Sequence, residues 1–454
     1  MTQGKPVKVL LGFTIPVFIG NVFQQFYNMV DAVVVGKFVG TKALAAVGST
    51  GTIIFLIIGF LLGLTAGFTV LTAQKYGAGK MDEMRQTVGN ALILTAVISA
   101  VMTAISMTGM HALLKFMHTP DDIFNDAYAY VMIICGGIFA QALYNILASI
   151  LRALGNSKIP LYFLILSAML NIVLDLVFII VFKLGAPGAA WATIISQGVS
   201  GVLCLLYIWK FVPELRMKKE DWYFRHSLAF KQIGVGIPMG LQYSITAIGS
   251  ILLQSAVNSL GETYMAAVTA GSKVTQFLCC PFDAMGSTMA TYCGQNVGAG
   301  RVDRIESGVK KCSMLGIAYA IIALIVIIPF GGEFSKLFID GTQTEILDLA
   351  KQFLWLNVLF YIPLAFVNII RFSIQGLGNS QLAVFAGVFE MIARGGVALG
   401  LVPAFGYVAV CLASPAAWVL ADLFLFPAFF HSVKILKNRF PSSSATAEKT
   451  DTES

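Results

Sequence analysis

Apolar residues in this chain come in runs of about twenty, separated by short polar stretches rich in Gly, Lys and Arg. A helix needs about that length to cross the hydrocarbon of a bilayer, whereas the strands of a membrane β-barrel alternate apolar and polar positions in shorter segments. The pattern predicts twelve helices, at roughly 10–36, 44–72, 87–110, 126–150, 161–182 and 188–210 in the first half. The second half continues with roughly 232–258, 264–292, 308–330, 348–373, 381–402 and 408–433.

The pattern is written twice. Gln74-Lys75-Tyr76-Gly77-Ala78-Gly79-Lys80-Met81-Asp82 returns as Gln295-Asn296-Val297-Gly298-Ala299-Gly300-Arg301-Val302-Asp303. Ile15-Pro16 returns as Ile237-Pro238, and Leu154-Gly155-Asn156-Ser157 as Leu377-Gly378-Asn379-Ser380, in the same order. With six helices per half, the second half enters the membrane in the same sense as the first, so the halves are parallel repeats of the kind found in secondary transporters. The predicted fold is an all-α membrane protein of twelve transmembrane helices in two parallel, pseudo-symmetric six-helix bundles. Its parts are an N-terminal lobe (1–210), a linker (211–231), a C-terminal lobe (232–438) and a polar tail (439–454) too hydrophilic to pack.

Composition agrees: 57% of the 454 residues are hydrophobic and 12% are charged, about half the usual charged share of a soluble protein. Most loop cations fall on one side of the predicted membrane, with only Lys37, Lys42, Lys115, Lys183 and Lys336 on the other. This excess places both termini in the cytoplasm of a multi-pass cell-membrane protein. The net charge of +7 follows from that asymmetry and needs the lipid bilayer as its partner, not nucleic acid. The first apolar segment is too long for a cleaved signal and contains Gln24, Gln25 and Asp31. Seven cysteines lie in or beside the apolar runs without metal-ligand spacing, which reads as core filler. No P-loop, HExxH, GxSxG or CxxC pattern is present, so the sequence predicts neither an enzyme nor a cofactor. The driving force would then be an ion gradient.

A charge in hydrocarbon costs at least about 2.5 to 3.5 kcal/mol at mid-helix, so each one needs a partner, a cavity or a function. Asp31, Asp175, Lys273, Asp283, Glu390, Arg394 and Asp422 fall inside apolar runs. Asn21, Gln24, Asn28 and Asp31 recur at helical spacing along one side of the first helix, Gln141, Tyr144 and Asn145 share a face of the fourth, and Asn171 and Asp175 one of the fifth. These groups predict one polar cluster in the first half. Two carboxylates in one low-dielectric pocket resist being charged together, so such a pair can take up H+ near neutral pH. The same oxygens, with Asn145, Asn171 and Thr193, could instead hold Na+ at Asp31, Asn171 and Asp175. A hydrogen-bond network that merely holds helices together is the alternative. Glu390 and Arg394 are spaced for an intrahelical ion pair, as suited to structure as to substrate. Asp283 follows Pro281, where a bend could open it to a cavity, with Lys273 as a neighbouring cation; Asp422, among aromatics, reads as structural. Pro16 and Pro238 predict paired kinks, and Gly59, Gly63 and Gly67 predict close helix packing.

The repeated Gln-x-x-Gly-Ala-Gly-Lys/Arg, the Leu-Gly-Asn-Ser pair and Val30-Asp31-Ala32-Val33-Val34-Val35-Gly36 resemble the multidrug and toxic compound extrusion (MATE) family over nearly the whole chain. The resemblance implies a twelve-helix exporter of organic cations driven by inward H+ or Na+. It implies that Pro16 is the bending proline and Asp31 the first-lobe acid, with Asn145, Asn171, Asp175 and Thr193 around it and Gln24 and Tyr27 lining the same cavity. NorM-type members carry acids on helices 7 and 10; the seventh helix here offers Gln242, Thr246, Gln254 and Asn258, and the tenth Asn357 and Asn368. The likeness is therefore MepA-like or DinF-like, with Asn28, Gln141, Gln242, Asp283, Glu390 and Arg394 as further cavity groups. The expected function is an alternating-access, cation-coupled antiporter exporting organic cations, working as a monomer. A lipid-linked precursor flippase and a non-transport membrane scaffold are the alternatives.

Overall fold

The computed structural model describes residues 1–117, 119–339 and 342–440. His118 and the tail from 441, expected to be disordered, lie outside the described residues. The first half folds into α1 (Pro6–Phe38), α2 (Thr41–Phe68), α3 (Val70–Gly77), α4 (Met81–Phe116), α5 (Asp121–Gly136), α6 (Ile138–Ala153), α7 (Lys158–Leu176) and α8 (Ala186–Phe211). The second half contains α9 (His226–Leu260), α10 (Glu262–Gly298), α11 (Val302–Ser335), α12 (Thr344–Val358), α13 (Tyr361–Gly376), α14 (Ser380–Gly396), α15 (Val402–Phe405) and α16 (Tyr407–Arg439). No strand occurs among the described residues. Helices satisfy their own backbone polar groups, which hydrocarbon cannot do.

Among the described residues, nine spans are long and apolar enough to cross a membrane, and eleven if two bent pairs each count as one. The remaining expected helix, α10, is 37 residues long but carries Lys273, Asp283 and many Ser, Thr, Gln and Asn residues. The predicted segments 126–150 and 348–373 are each broken. α5 meets α6 at a 46° bend and α12 meets α13 at 52°. Gly136-Gly137 loosens the first junction, and Pro363, near the start of α13, has no N–H to carry the helical ladder back to Leu359. α7 and α14 both run into a π-helical turn, Val177–Val181 and Val397–Leu401. α1 and α9 continue through Pro16 and Pro238, each one helical hydrogen bond short at that point.

The chain forms two compact units that do not coincide with the repeats 1–210 and 232–438. One unit comprises Ile15–Thr72 and Met81–Ala247; the other takes Met1–Thr14, Ala73–Lys80 and the described residues from Ile248 onward. Close approach explains the exchange. In the first unit, a Cβ on Gly63 would sit 2.3 Å from the Met239 carbonyl oxygen, and one on Gly67 2.5 Å from Gly236 Cα, so the α2 glycines let the start of α9 press against them. In the second unit, Leu10 joins the core built by α10, α11, α13 and α16, and Thr14 hydrogen-bonds Thr288 at 2.8 Å.

Packing also accounts for the repeated motifs. Gly155 and Gly378 both take positive φ, 90° and 93°, a region open chiefly to glycine. The two Gln-x-x-Gly-Ala-Gly segments lie against each other reciprocally: a Cβ on Gly77 would be 1.9 Å from the Gln295 carbonyl oxygen, and one on Gly298 1.8 Å from that of Gln74. Gln74 Nε2 further donates to the Gly376 carbonyl at 3.2 Å, beside the second Leu-Gly-Asn-Ser. Gly298→Ala should therefore lower stability by about 1 to 3 kcal/mol or more through overpacking, whereas Gly48→Ala, with open space around it, should be neutral or slightly stabilising. Thermal unfolding in detergent compares the two, and equal midpoints would refute the reciprocal contact.

Candidate functional site

The acids of the first half meet in the unit built from Ile15–Thr72 and Met81–Ala247. Tyr27 and Asp31 lie four residues apart on α1, and Asn171 and Asp175 four apart on α7, just before its π-helical turn. Interruptions of this kind recur at functional positions because they redirect side chains within a helix. Asp175 and Asn171 are 0% and 1% exposed, while Asp31 is half-buried. The Asp31 and Asp175 carboxyl groups are within hydrogen-bonding reach of each other. Among the described residues, no donor from another side chain or the backbone reaches Oδ1 of either acid. Two carboxylate oxygens can lie this close only with a proton or cation between them, since both are acceptors when ionised.

Around the pair, Asn171 is satisfied when its amide donates to Asp175 Oδ2 at 3.2 Å and accepts from the Thr193 backbone N–H at 3.2 Å. Tyr27 hydrogen-bonds the Thr193 side chain, and Tyr130 on α5 lies within electrostatic reach of both acids. α1, α5, α7 and α8 thus each supply part of one centre.

The fourth predicted helix does not complete this cluster. Tyr144 turns to the start of α7 and donates to the Pro160 carbonyl at 2.9 Å. Gln141 is buried and Asn145 half-buried on α6; among the described residues neither hydrogen-bonds the acids. The single cluster predicted from three polar faces is divided, because α6 packs its polar face against neighbouring helices of the bundle. Gln24 and Asn28 are exposed on α1, and Gln242 is buried on α9. Pro16 is buried and Pro238 half-buried.

A second charged group occupies the other unit. Glu390 and Arg394 share α14, with Arg394 Nη2 3.4 Å from Glu390 Oε2, and Arg371 on α13 hydrogen-bonds Glu390 Oε1 directly. Arg371 also acts electrostatically on Asp283 of α10 and Asp422 of α16. Glu390, Arg371, Arg394 and Asp422 are each more than nine-tenths buried, while Asp283 is exposed. Arg371 is not among the intramembrane charges expected from sequence, because it lies at the end of the predicted 348–373 run. α13 continues to Gly376, leaving Arg371 more than one turn inside. Its signal was Asn368, three residues earlier on the same face. Lys273, expected to neighbour an acid, is exposed, and Asp422, expected among aromatics alone, belongs to this network. Among the described residues, no group of three or more His, Cys, Asp or Glu could hold a metal ion.

The MatE family model matches residues 16–177 and 238–398, one match in each repeat. The chain is 30% identical over 386 residues to the probable multidrug resistance protein YpnP of Bacillus subtilis, covering 84% of this chain and 85% of that protein. It is 21% identical to the FAD transporter of Shewanella oneidensis over 80% of each. Its fold matches a MATE crystallised in complex with MaL6 at a TM-score of 0.90, with 22% identity over 96% of this chain and 98% of the other. An outward-facing multidrug resistance MATE transporter of the MOP superfamily matches at 0.89, with 23% identity over 96% and 97%. With two matched repeats, their shared motifs and an all-helical two-bundle fold, the chain belongs to the MatE family of multi-pass membrane transporters.

Proposed function

We propose that this chain is a proton-coupled antiporter that exports organic cations from the cell by alternating access, with both termini in the cytoplasm. The Asp31–Asp175 contact carries this reading. With a proton between them, the two carboxyls tie α1 to α7; without it, two negative charges repel in a low-dielectric setting. α1 is short of one hydrogen bond at Pro16 and can absorb the resulting bend. A drug cation drawn to the ionised acids competes with the proton, and Tyr27 and Tyr130 beside them supply aromatic faces for it. Linkage makes the competition reciprocal, so drug binding weakens proton affinity by the factor that protonation weakens drug affinity. The relative named a probable multidrug resistance protein supports drugs as the cargo.

The proton is favoured over sodium by the use of Asn171. Hard cations collect several oxygens, yet the Asn171 oxygen accepts from Thr193 N–H and its NH2 faces Asp175, leaving mainly the two carboxyls and two hydroxyls. The absence of acids among Gln242, Thr246, Gln254 and Asn258 of α9 and Asn368 of α13 supports the MepA-like or DinF-like assignment over the NorM-like one.

In proteoliposomes with an imposed pH gradient, Asp31→Asn and Asp175→Asn should each lower ethidium transport at least about tenfold while ethidium still binds. Wild-type transport rates in both variants would overturn the proposal, and transport driven by a sodium gradient at clamped pH would replace the proton with sodium. Binding gives an independent check. Because ionised acids favour the cation, ethidium affinity should rise with pH by up to about tenfold per unit where one proton is displaced. Isothermal titration in buffers of different ionisation enthalpy should record proton release on ethidium binding to the wild type. The Asp31→Asn, Asp175→Asn double variant should show neither effect.

A further inference from the structure

Three helix irregularities of the second unit converge on one groove. The corner where α12 meets α13 at 52° brings in Phe360. The π-helical turn after α14 contributes Val397 and Leu401, the residues at its two ends. In α16, Pro415 has no N–H to give the Cys411 carbonyl, and buried Asn357 of α12 donates to that oxygen instead, at 3.3 Å. The groove they enclose is about 600 Å³, within the range of roughly 300 to 1,000 Å³ of small-molecule sites, and its lining side chains are all apolar.

The first half fills the corresponding place. Aligned on Leu-Gly-Asn-Ser and on Gly185 and Gly406, which precede α8 and α16, the groove residues Ala393, Gly396 and Ala416 correspond to Leu170, Val173 and Ile195. Phe360 and Pro415 correspond to Gly137 and Ile194, which close on each other so tightly that a Cβ on Gly137 would be 2.3 Å from Ile194 Cδ1. The scaffold accepts large side chains there, and the second half has its recess because three positions are cut back to Gly or Ala.

Position and length indicate what fills it. The walls belong to Ser380–Phe405 and Tyr407–Arg439, both long and apolar enough to cross a membrane, and Ile392 and Leu423 of the lining are exposed. From Leu412 to Leu423 α16 rises about 16 Å, close to one leaflet of a hydrocarbon core about 30 Å thick. A drug cation would find no polar partner on these walls and would meet the full cost of a charge in hydrocarbon. Spread over that length, 600 Å³ leaves a section of about 40 Å², half of what a helix about 10 Å across occupies, so a helix of a second copy does not fit.

We propose that the groove of Phe360, Gly396, Val397, Pro415 and Leu423 is a binding site for one phospholipid, held by an acyl chain laid along α16. The chain braces the irregular segments of α12, α14 and α16 against one another. It also keeps hydrocarbon over the helices that carry buried Arg394 and Asp422, each of which stands next to a lining residue. The site does not depend on which ion drives transport.

In native mass spectrometry of the wild type in detergent, titrated with palmitoyl-oleoyl phosphatidylglycerol, a first lipid should bind about tenfold more tightly than those that follow. Dioctanoyl phosphatidylglycerol, with the same headgroup and shorter chains, should lack that first step. Gly396→Leu and Ala416→Leu should abolish it by filling the recess; a Cβ on Gly396 meets open space, so the fold accepts the first of these. Gly400→Leu, equally open but outside the lining, should keep it. A wild type that binds every lipid with one affinity overturns the proposal, whether or not the variants fold. So does a first step shared by the dioctanoyl lipid, which assigns the binding to a headgroup site, or one that survives in Gly396→Leu. Displacement of the first lipid by equimolar ethidium would make the groove a drug site and overturns it as well.

Discussion

Everything in this protein turns on the cost of keeping charge away from water. In hydrocarbon an ionised side chain has no solvent to answer it, so each must be neutralised by a proton, a partner or a cargo. Asp31 and Asp175 answer each other and require something positive between them. Glu390, Arg371 and Arg394 answer one another through direct ion pairs. The two centres are different solutions to one constraint, and the difference gives them different chemistry.

In the first centre the partner proposed above is an exchangeable one. A carboxyl pair held by a shared proton is bistable, since losing the proton turns attraction into repulsion across two helices. The surrounding groups sharpen that choice. Asn171 is locked by Thr193 and Asp175, Tyr27 is held by Thr193, and the π-helical turn after Asp175 breaks the regular ladder where α7 ends. In the antiport proposed above, the proton is the variable against these surroundings, and transport would follow from mass action: whichever cation neutralises the acids excludes the other.

Much of the helical layout was legible in the sequence because hydrocarbon imposes one-dimensional rules. Apolar runs of fixed length mark helices, and the repeated Gln-x-x-Gly-Ala-Gly and Leu-Gly-Asn-Ser announce two related halves. The pairs Asn171/Asp175 and Glu390/Arg394 could be placed on shared helix faces from spacing alone. The bends within 126–150 and 348–373 were not legible, since hydropathy averages over a break that a few residues at a junction create. Arg371 was missed for a related reason: a single cation near the end of an apolar run looks like the run's boundary until a partner on another helix explains it.

Sequence alone determined the solvent of the protein, its helices, its repeat and the short inventory of intramembrane charges, because each depends on the character and spacing of neighbouring residues. Tertiary structure decided which charges meet. Whether Asp31 faces Asp175, whether Tyr144 joins them or turns to Pro160, and whether Asp283 and Asp422 share Arg371 depend on contacts between helices far apart in the chain. It also decided that the compact units trade segments, because Gly63 and Gly67 admit the start of α9 while Leu10 packs with the second half. Helical spacing sets the face on which a side chain stands, but only the packing of one helix against another sets what that face meets.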